Sequence, residues 1–347
     1  MDSIKVGLIG YGLAGSVFHA PLIGSVPGLQ LAVVSTSRAE QVRKDLPETR
    51  IVAHPESIFS DPEIELVVIA SPTSTHFDLA CAALMAGKNL IVDKPLTATV
   101  QEADRLIDLA KSRQRLLSVF QNRRWENGFQ TIRRCIEQGQ LGNVYYFESH
   151  YDRFRPEIKP GWRENSLPGS GILYDLGSHL IDQALLLFGL PQSVTADVII
   201  QRPEGKVDDY FHLILAYGSR RVILHSSNLV RGPGPRLIAH GDAGSVVKFG
   251  EDSQEEALRK GQRPSNPEWG RDLPGRYAVF TSSDGSSRTI ETVPGAYQKY
   301  YEAVVPWIRS GGPAPVDPLD SRNGILVIEA SIASARERRT VDLNNFV

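Results

Sequence analysis

Ile4-Lys5-Val6-Gly7-Leu8-Ile9-Gly10-Tyr11-Gly12-Leu13-Ala14-Gly15-Ser16-Val17-Phe18 is the stretch that decides how the rest of the chain reads. The short apolar run at 6–9 breaks at once into Gly10-Tyr11-Gly12-Leu13-Ala14-Gly15, and a helical pattern follows. A buried strand, a tight glycine turn and a helix, in that order, are the fingerprint of a dinucleotide site. Gly10 suits the sharp turn, Gly12 the close approach of backbone to a pyrophosphate, and Gly15 the packing of helix on strand. The helix start adds unpaired N–H groups and a partial positive charge for a phosphate. Tyr11 and Leu13 complete the expected cofactor loop. A glycine-rich turn alone is a weak signal, and its place between strand and helix is what gives it weight.

At 347 residues the chain is long enough for about two domains, each able to bury its own core. Its 41% hydrophobic and 22% charged residues are ordinary for a globular protein. A formal charge of −2 and the lack of a basic stripe give no footing for nucleic acid or an anionic membrane. The short runs Arg123-Arg124 and 336–339 read as solvated faces or local sites. No apolar run approaches the roughly 18 residues of a membrane span. The first strand begins at Ile4, which leaves no room for a signal peptide, so a cytoplasmic location is expected. Cys81 and Cys135 fall in helical patterns without CxxC spacing, as expected of buried reduced thiols.

The second strand spans 29–34 and runs into Ser35-Thr36-Ser37-Arg38. NAD enzymes usually place Asp or Glu at this turn to hold the ribose 2′-hydroxyl. Here hydroxyl side chains and an arginine stand instead, a set suited to a 2′-phosphate, whose oxygens pair with guanidinium in fork geometry. NADP is therefore expected ahead of NAD. A short strand at 51–52 follows, then a nearly continuous apolar run at 64–70, as in a parallel strand covered on both faces. That run ends in Ser71-Pro72-Thr73-Ser74-Thr75-His76, and a helix over 76–86 is stopped by Gly87. Strand 89–92 breaks at Asp93-Lys94-Pro95. Helix 99–111 and strand 116–120 lead to Gln121-Asn122-Arg123-Arg124-Trp125.

Strand and helix thus alternate through 1–121, which predicts a Rossmann domain with a doubly wound parallel sheet. Its polar clusters all follow carboxyl ends of strands, the edge where open α/β sheets bind ligands. Ser71, Pro72, Thr73, His76, Asp93 and Lys94 accordingly join the expected cofactor contacts. His76 either caps its helix or lines the cleft.

Beyond 122 the texture changes. A helix is expected over 129–138, an alternating strand over 144–154, and a loop rich in proline, glycine and charge over 155–171. A strong helix over 173–188 follows. Strands at 193–200, 208–217, 220–229, 236–240 and 245–249 come with few helices between them, which predicts a mainly antiparallel sheet. The polar, proline-bearing segment 251–276 reads as a long surface excursion. A last strand at 288–292 and helices over 297–309 and 321–336 close the chain. Residues 122–347 are therefore expected to form an α+β domain with one open sheet.

Lys94 is the first candidate for chemistry. It stands where a buried strand ends, beside a proline that denies the preceding residue a helical conformation. Partial burial and nearby cations fit such a lysine for proton transfer, while in its charged form it polarises a substrate oxygen. Asp175 and His179 lie four apart in the 173–188 helix and share a face. With Asp182 they are expected on a polar face beside the stripe Leu173, Leu176, Leu180, Ala184 and Leu187. A carboxylate one turn from an imidazole orients it and raises its basicity, as a general base for a hydroxyl requires. A zinc reading of this pair fails for want of a third ligand, so no metal is expected. Arg124, Trp125, Arg153, Arg155, Trp162 and Arg163 lie in stretches suited to walling a polar substrate. His19, His150, His212, His225 and His240 read as packing or surface residues.

Taken together, Gly10 to Gly15, Asp93-Lys94-Pro95 and Asp175-x-x-x-His179 resemble the glucose-fructose oxidoreductase/inositol dehydrogenase (Gfo/Idh/MocA) family, with Asp93 where the family has Glu. The resemblance covers essentially the whole length. The stretches at 10–19, 36–38, 122–125 and 173–179 are similar to a subgroup that includes NADP-dependent scyllo-inositol 2-dehydrogenases. What this implies is oxidation of a ring hydroxyl of a cyclic polyol or sugar, or reduction of the ketone. It further implies catalytic roles for Lys94, Asp175 and His179, and a homodimer or homotetramer built through the second sheet. Two alternatives stand beside it: another substrate class, such as an aldose, an imine or a linear tetrapyrrole, and a non-enzymatic NADP or sugar sensor.

Overall fold

The computed structural model describes residues 2–159, 161–232 and 234–346. The chain forms two compact units. The first comprises residues up to Asn122 together with Gln254–Trp269 and Ala296–Arg322. The second comprises Arg123–Ser253, Gly270–Gly295 and the chain from Asn323 onward.

Six strands make the first unit's sheet: β1 (Ile4–Ile9), β2 (Leu29–Ser35), β3 (Arg50–Val52), β4 (Leu66–Ile69), β5 (Asn89–Asp93) and β6 (Leu117–Phe120). All pair in parallel, in the order β3-β2-β1-β4-β5-β6. This is the Rossmann order, in which the direction of winding reverses between β1 and β4. Val6, Leu8 and every residue of β4 are buried, because helices cover both faces. The helix Val100–Ser112 starts where it does because Thr99 and Glu102 form a reciprocal capping box.

The segment 251–276 is exposed over most of its length, as expected, but it is anchored and partly helical. Gln254–Arg259 is helical, and Gln254, Leu258 and Trp269 are buried within the first unit. Tyr297, Tyr300, Tyr301, Val304 and Trp307 join the same core. Tyr300 Oη donates to Ser118 Oγ at 3.0 Å, and that hydroxyl donates to the Val316 carbonyl at 2.8 Å. The expectation that everything after 122 belongs to a second domain is corrected accordingly. The cut falls between Asn122 and Arg123, but two later stretches return to the first unit.

The second unit holds a nine-stranded sheet: β7 (Val144–His150), β8 (Ser193–Ile199), β9 (Tyr210–Tyr217), β10 (Arg220–Ser227), β11 (Leu237–Gly241), β12 (Gly244–Lys248), β13 (Ala278–Ser282), β14 (Ser287–Ile290) and β15 (Val341–Asp342). Its order is β14-β13-β12-β11-β7-β10-β9-β8-β15, antiparallel except where β7 meets β10. One face is apolar, with Phe147, Phe211, Leu213, Leu215, Val222 and Leu224 buried. The strand expected over 144–154 ends at His150, and only an isolated bridge from Phe154 to Leu229 continues it. Strands β13 and β15 were not legible as strands. Cys135 is buried, but Cys81 is half-buried, and both are free thiols. Among the described residues no helix is long and apolar enough to cross a membrane.

Candidate active site

In the first unit each glycine of the opening turn has its own geometric reason. Gly10 has φ +96°, and a Cβ on it would stand 2.6 Å from the Ala70 carbonyl oxygen. A Cβ on Gly15 would stand 2.2 Å from the Gly10 carbonyl, so the helix rides directly on the turn. At Gly12 a Cβ would meet nothing within 4 Å, which leaves open space over the backbone. The turn therefore fits a pyrophosphate approaching at Gly12. The helix behind it opens as a π-turn, Ala14–His19, and continues as Ala20–Ile23. Leu13 is exposed, whereas Tyr11 is 2% exposed and its hydroxyl donates to Asp45 at 3.3 Å. Burial and the Asp45 charge push that phenol up to about 12. Tyr11 thus faces inward, beside a cavity of about 630 Å³ lined also by Ser16, Gln41, Asp45, Leu258 and Arg263.

At the end of β2, Ser35 is buried and its carbonyl accepts from Gly10 N at 2.9 Å. Thr36 Oγ1 accepts from Arg38 N at 3.0 Å, and the side chains of Ser37 and Arg38 are exposed. No carboxylate occurs in this turn. After β4, Thr73 is buried, Ser71 and Pro72 are half-buried, and the Ser71 and Thr75 hydroxyls lie 2.6 Å apart. His76 neither caps its helix through a side-chain bond nor faces solvent. Its Nδ1 lies 2.9 Å from the Pro95 carbonyl and its Nε2 3.0 Å from the Ser71 carbonyl, so it straps the loop after β4 to the loop after β5. Burial holds its pKa below the ordinary value, against the Asp93 charge.

Asp93 and Lys94 are half-buried at the end of β5, and the Lys94–Pro95 peptide is cis. Behind Asp93 lies a residue the sequence had consigned to packing. His19 is fully buried, with Nε2 3.5 Å from Asp93 Oδ1 and Nδ1 2.6 Å from Tyr301 Oη. Phe120 packs on its ring at 4.4 Å. Burial alone would raise the Asp93 carboxyl, but His19, Lys94 and His76 together hold it below the carboxylate range. Asp93 is therefore an anion beside Lys94. His19 shares the helix that follows the glycine turn, but its partner lies 282 residues away, so no local signal reveals the contact.

In the second unit the expected helix is a π-turn, Leu173–Gly177, followed by the α-helix Ser178–Phe188. Asp208 Oδ2 accepts from Leu173 N at 2.7 Å and anchors the π-turn. A Cβ on Gly171 would stand 2.0 Å from Asp208 Oδ1, so this close approach requires glycine. Asp175 is half-buried and accepts from Arg163 Nε at 3.0 Å. The polar face expected for Asp175, His179 and Asp182 is not a solvated one, because His179 and Asp182 are buried. Asp182 takes both arms of Arg124, at 2.7 and 2.8 Å, so Arg124 forms a buried bidentate pair where a substrate contact was expected. Burying the helix face left each charge in need of the other.

Trp125 is half-buried at the end of a 3₁₀ turn. Arg153, Arg155, Trp162, Arg163 and Asp175 line a cleft of about 230 Å³. Arg163 lies over the Trp162 ring at 4.6 Å, and Arg153 over Tyr151 at 4.4 Å. The structure thus gathers Arg153, Trp162, Arg163 and Asp175, and leaves Arg124 out of that cleft.

Residues 4–121 match the NAD-binding Rossmann-fold domain of an oxidoreductase family, and residues 133–343 match that family's C-terminal α/β domain. The chain is 49% identical over 345 residues to the uncharacterized oxidoreductase YdgJ of Escherichia coli, covering 99% of each. It is 43% identical over 348 residues to IolW of Bacillus subtilis, an NADP(+) scyllo-inositol 2-dehydrogenase, covering 99% of this chain and 97% of that one. The solved structure of yvaA from Bacillus subtilis matches it with a TM-score of 0.96 and 43% identity over 98% of each chain.

The chain belongs to the Gfo/Idh/MocA oxidoreductase family. The resemblance carried by the glycine turn, Asp93-Lys94-Pro95 and Asp175-x-x-x-His179 holds at family level. As a Gfo/Idh/MocA protein the chain is an oxidoreductase with an NAD-binding Rossmann domain. Its β2 turn carries no acid and has an exposed arginine.

Proposed function

We propose that this protein is an NADP(H)-dependent dehydrogenase/reductase acting on a CH–OH group of a cyclic polyol, with scyllo-inositol and its inosose as the foremost pair. The carrying observation is the turn Ser35 to Arg38, where hydroxyls and an exposed guanidinium replace the usual acid. Similarity to the NADP(+)-dependent IolW supports the choice of substrate. The nicotinamide, when bound, supplies the hydride chemistry. Lys94, charged beside the Asp93 anion, hydrogen-bonds the reacting oxygen. His179, with Asp175 one turn away to orient it, takes the hydroxyl proton during oxidation and returns it during reduction. Arg163 holds Asp175, and Trp162 with Arg153 walls the ring. The functional unit is a homo-oligomer.

The test is nicotinamide absorbance with NADPH and NADH against a panel of myo-inositol, scyllo-inositol, inosose and glucose. Turnover is expected with the inositol pair and NADP(H). Fastest turnover on glucose, or none on any panel member, would refute the substrate class. Lys94→Ala is expected to lower kcat by about 10²–10⁴-fold with cofactor binding intact. Near-normal turnover would remove Lys94 from the mechanism.

A further inference from the structure

The sheet face opposite the apolar core of the second unit carries a side-chain cluster that the dehydrogenase chemistry does not use. Glu148, His150 and Asp152 alternate along β7 and just past it, so all three project from that face. In register across the sheet, His150 lies opposite His225 of β10, and His225 opposite His212 of β9. His225 Nδ1 is 2.9 Å from Asp152 Oδ1, and His150 Nδ1 is 3.6 Å from Asp152 Oδ2. One ligand atom from each of His150, Asp152 and His225 falls within 4.8 Å of the others.

We propose that His150, Asp152 and His225 form a binding site for a divalent transition-metal ion of the zinc type. Metal arms of about 2.0–2.2 Å give a tetrahedron with edges of roughly 3.3 Å, and the three ligand atoms lie within 4.8 Å of one another, a set that small side-chain shifts close onto an ion. Two imidazoles and one carboxylate suit zinc, cobalt or nickel, whereas magnesium and calcium prefer all-oxygen shells. The supporting groups are in place as well. His150 Nε2 lies 2.9 Å from Glu148 Oε2. A carboxylate only accepts, so this contact puts a proton on Nε2 and turns Nδ1 toward Asp152, where a metal ion would displace any proton on that nitrogen. Tyr146 Oη holds Glu148, and Asp152 Oδ1 accepts from Ser227 N at 3.0 Å. His225 Nδ1 is buried against Asp152, where the two form an ion pair, and a metal ion would take the place of the proton between them. The half-exposed rings leave the fourth position to water, and the ion braces β7 to β10, a parallel pair in an otherwise antiparallel sheet.

The test uses the full-length protein, stripped with chelator and titrated with ZnCl₂ by equilibrium dialysis, with cobalt(II) absorption as the geometric readout. A single ion per chain is expected. His225→Gln and Asp152→Asn should each weaken binding at least about 100-fold, and Glu148→Gln about 10–100-fold. His240→Gln, on the same face but hydrogen-bonded to Ser245, should leave the affinity unchanged. Equal affinity in wild type, His225→Gln and Asp152→Asn would overturn the site. So would several weak equivalents insensitive to every variant, which would mean an adventitious ion only. Neither result bears on the cofactor or polyol assignment, since the readout is metal binding alone.

Discussion

Asp208 holds its place at a cost in stability whenever it is charged. Its carboxylate caps the π-turn through Leu173 N, yet burial raises its pKa to about 6, and adjacent Asp209 pushes the same way. An acid whose native pKa lies above its unfolded value of about 3.9 binds its proton more tightly in the native state. Its contribution to stability is therefore full below about pH 4 and is lost as the pH rises through 6. Asp208→Asn keeps an acceptor for Leu173 and cannot ionise. Urea melts at pH 7.5 should show the variant more stable by about 1–3 kcal/mol, with the gain gone at pH 4. Arg38 supports a second prediction at this scale. If its guanidinium meets a 2′-phosphate, Arg38→Ala removes charge-assisted bonds worth about 1.5–3 kcal/mol. Fluorescence titration should then show NADPH binding about 10–100-fold weaker and NADH binding little altered.

Among elements, those with purely local causes were legible. The glycine turn at 10–15, the apolar run before Ser71 and the break at Lys94-Pro95 carry their instructions within a few residues, and the Rossmann order follows from them. The anchoring of 254–269, with its helix Gln254–Arg259, was not legible, because it depends on two apolar side chains too sparse to make a periodic stripe. Leu258 is 4% exposed and Trp269 7% exposed, each filling space in a core built by distant residues. The same holds in the candidate site. Lys94, Asp175 and His179 stand out by type and place, whereas the His19–Tyr301 contact and the Arg124–Asp182 pair exist only in three dimensions. If 254–269 were a mere excursion, Leu258→Ala would be neutral. Its burial predicts a loss of about 2–4 kcal/mol in urea melts, while Lys260→Ala, in an exposed pair with Glu256, should change stability by less than about 0.5 kcal/mol.

For the whole molecule the chain's returns matter more than its first boundary. The alternating pattern at 1–121 suggests a Rossmann domain complete in itself, but its core is finished by Tyr300, Tyr301, Val304 and Trp307. Tyr300 and Tyr301 pack on Phe120 at 5.0 and 5.6 Å, Tyr301 meets buried His19, and Ser118 bonds both Tyr300 and the Val316 carbonyl. Removing one such aromatic costs about 3–5 kcal/mol, and the total stability of a domain is about 5–15 kcal/mol. Losing Tyr300, Tyr301 and Trp307 together would consume it, and would leave His19 and Ser118 without their partners. A fragment of residues 1–122 should therefore keep secondary structure by far-ultraviolet dichroism, yet bind hydrophobic dye and melt without a cooperative transition. A sharp two-state melt of that fragment would show that the returning segments decorate the Rossmann core and do not complete it.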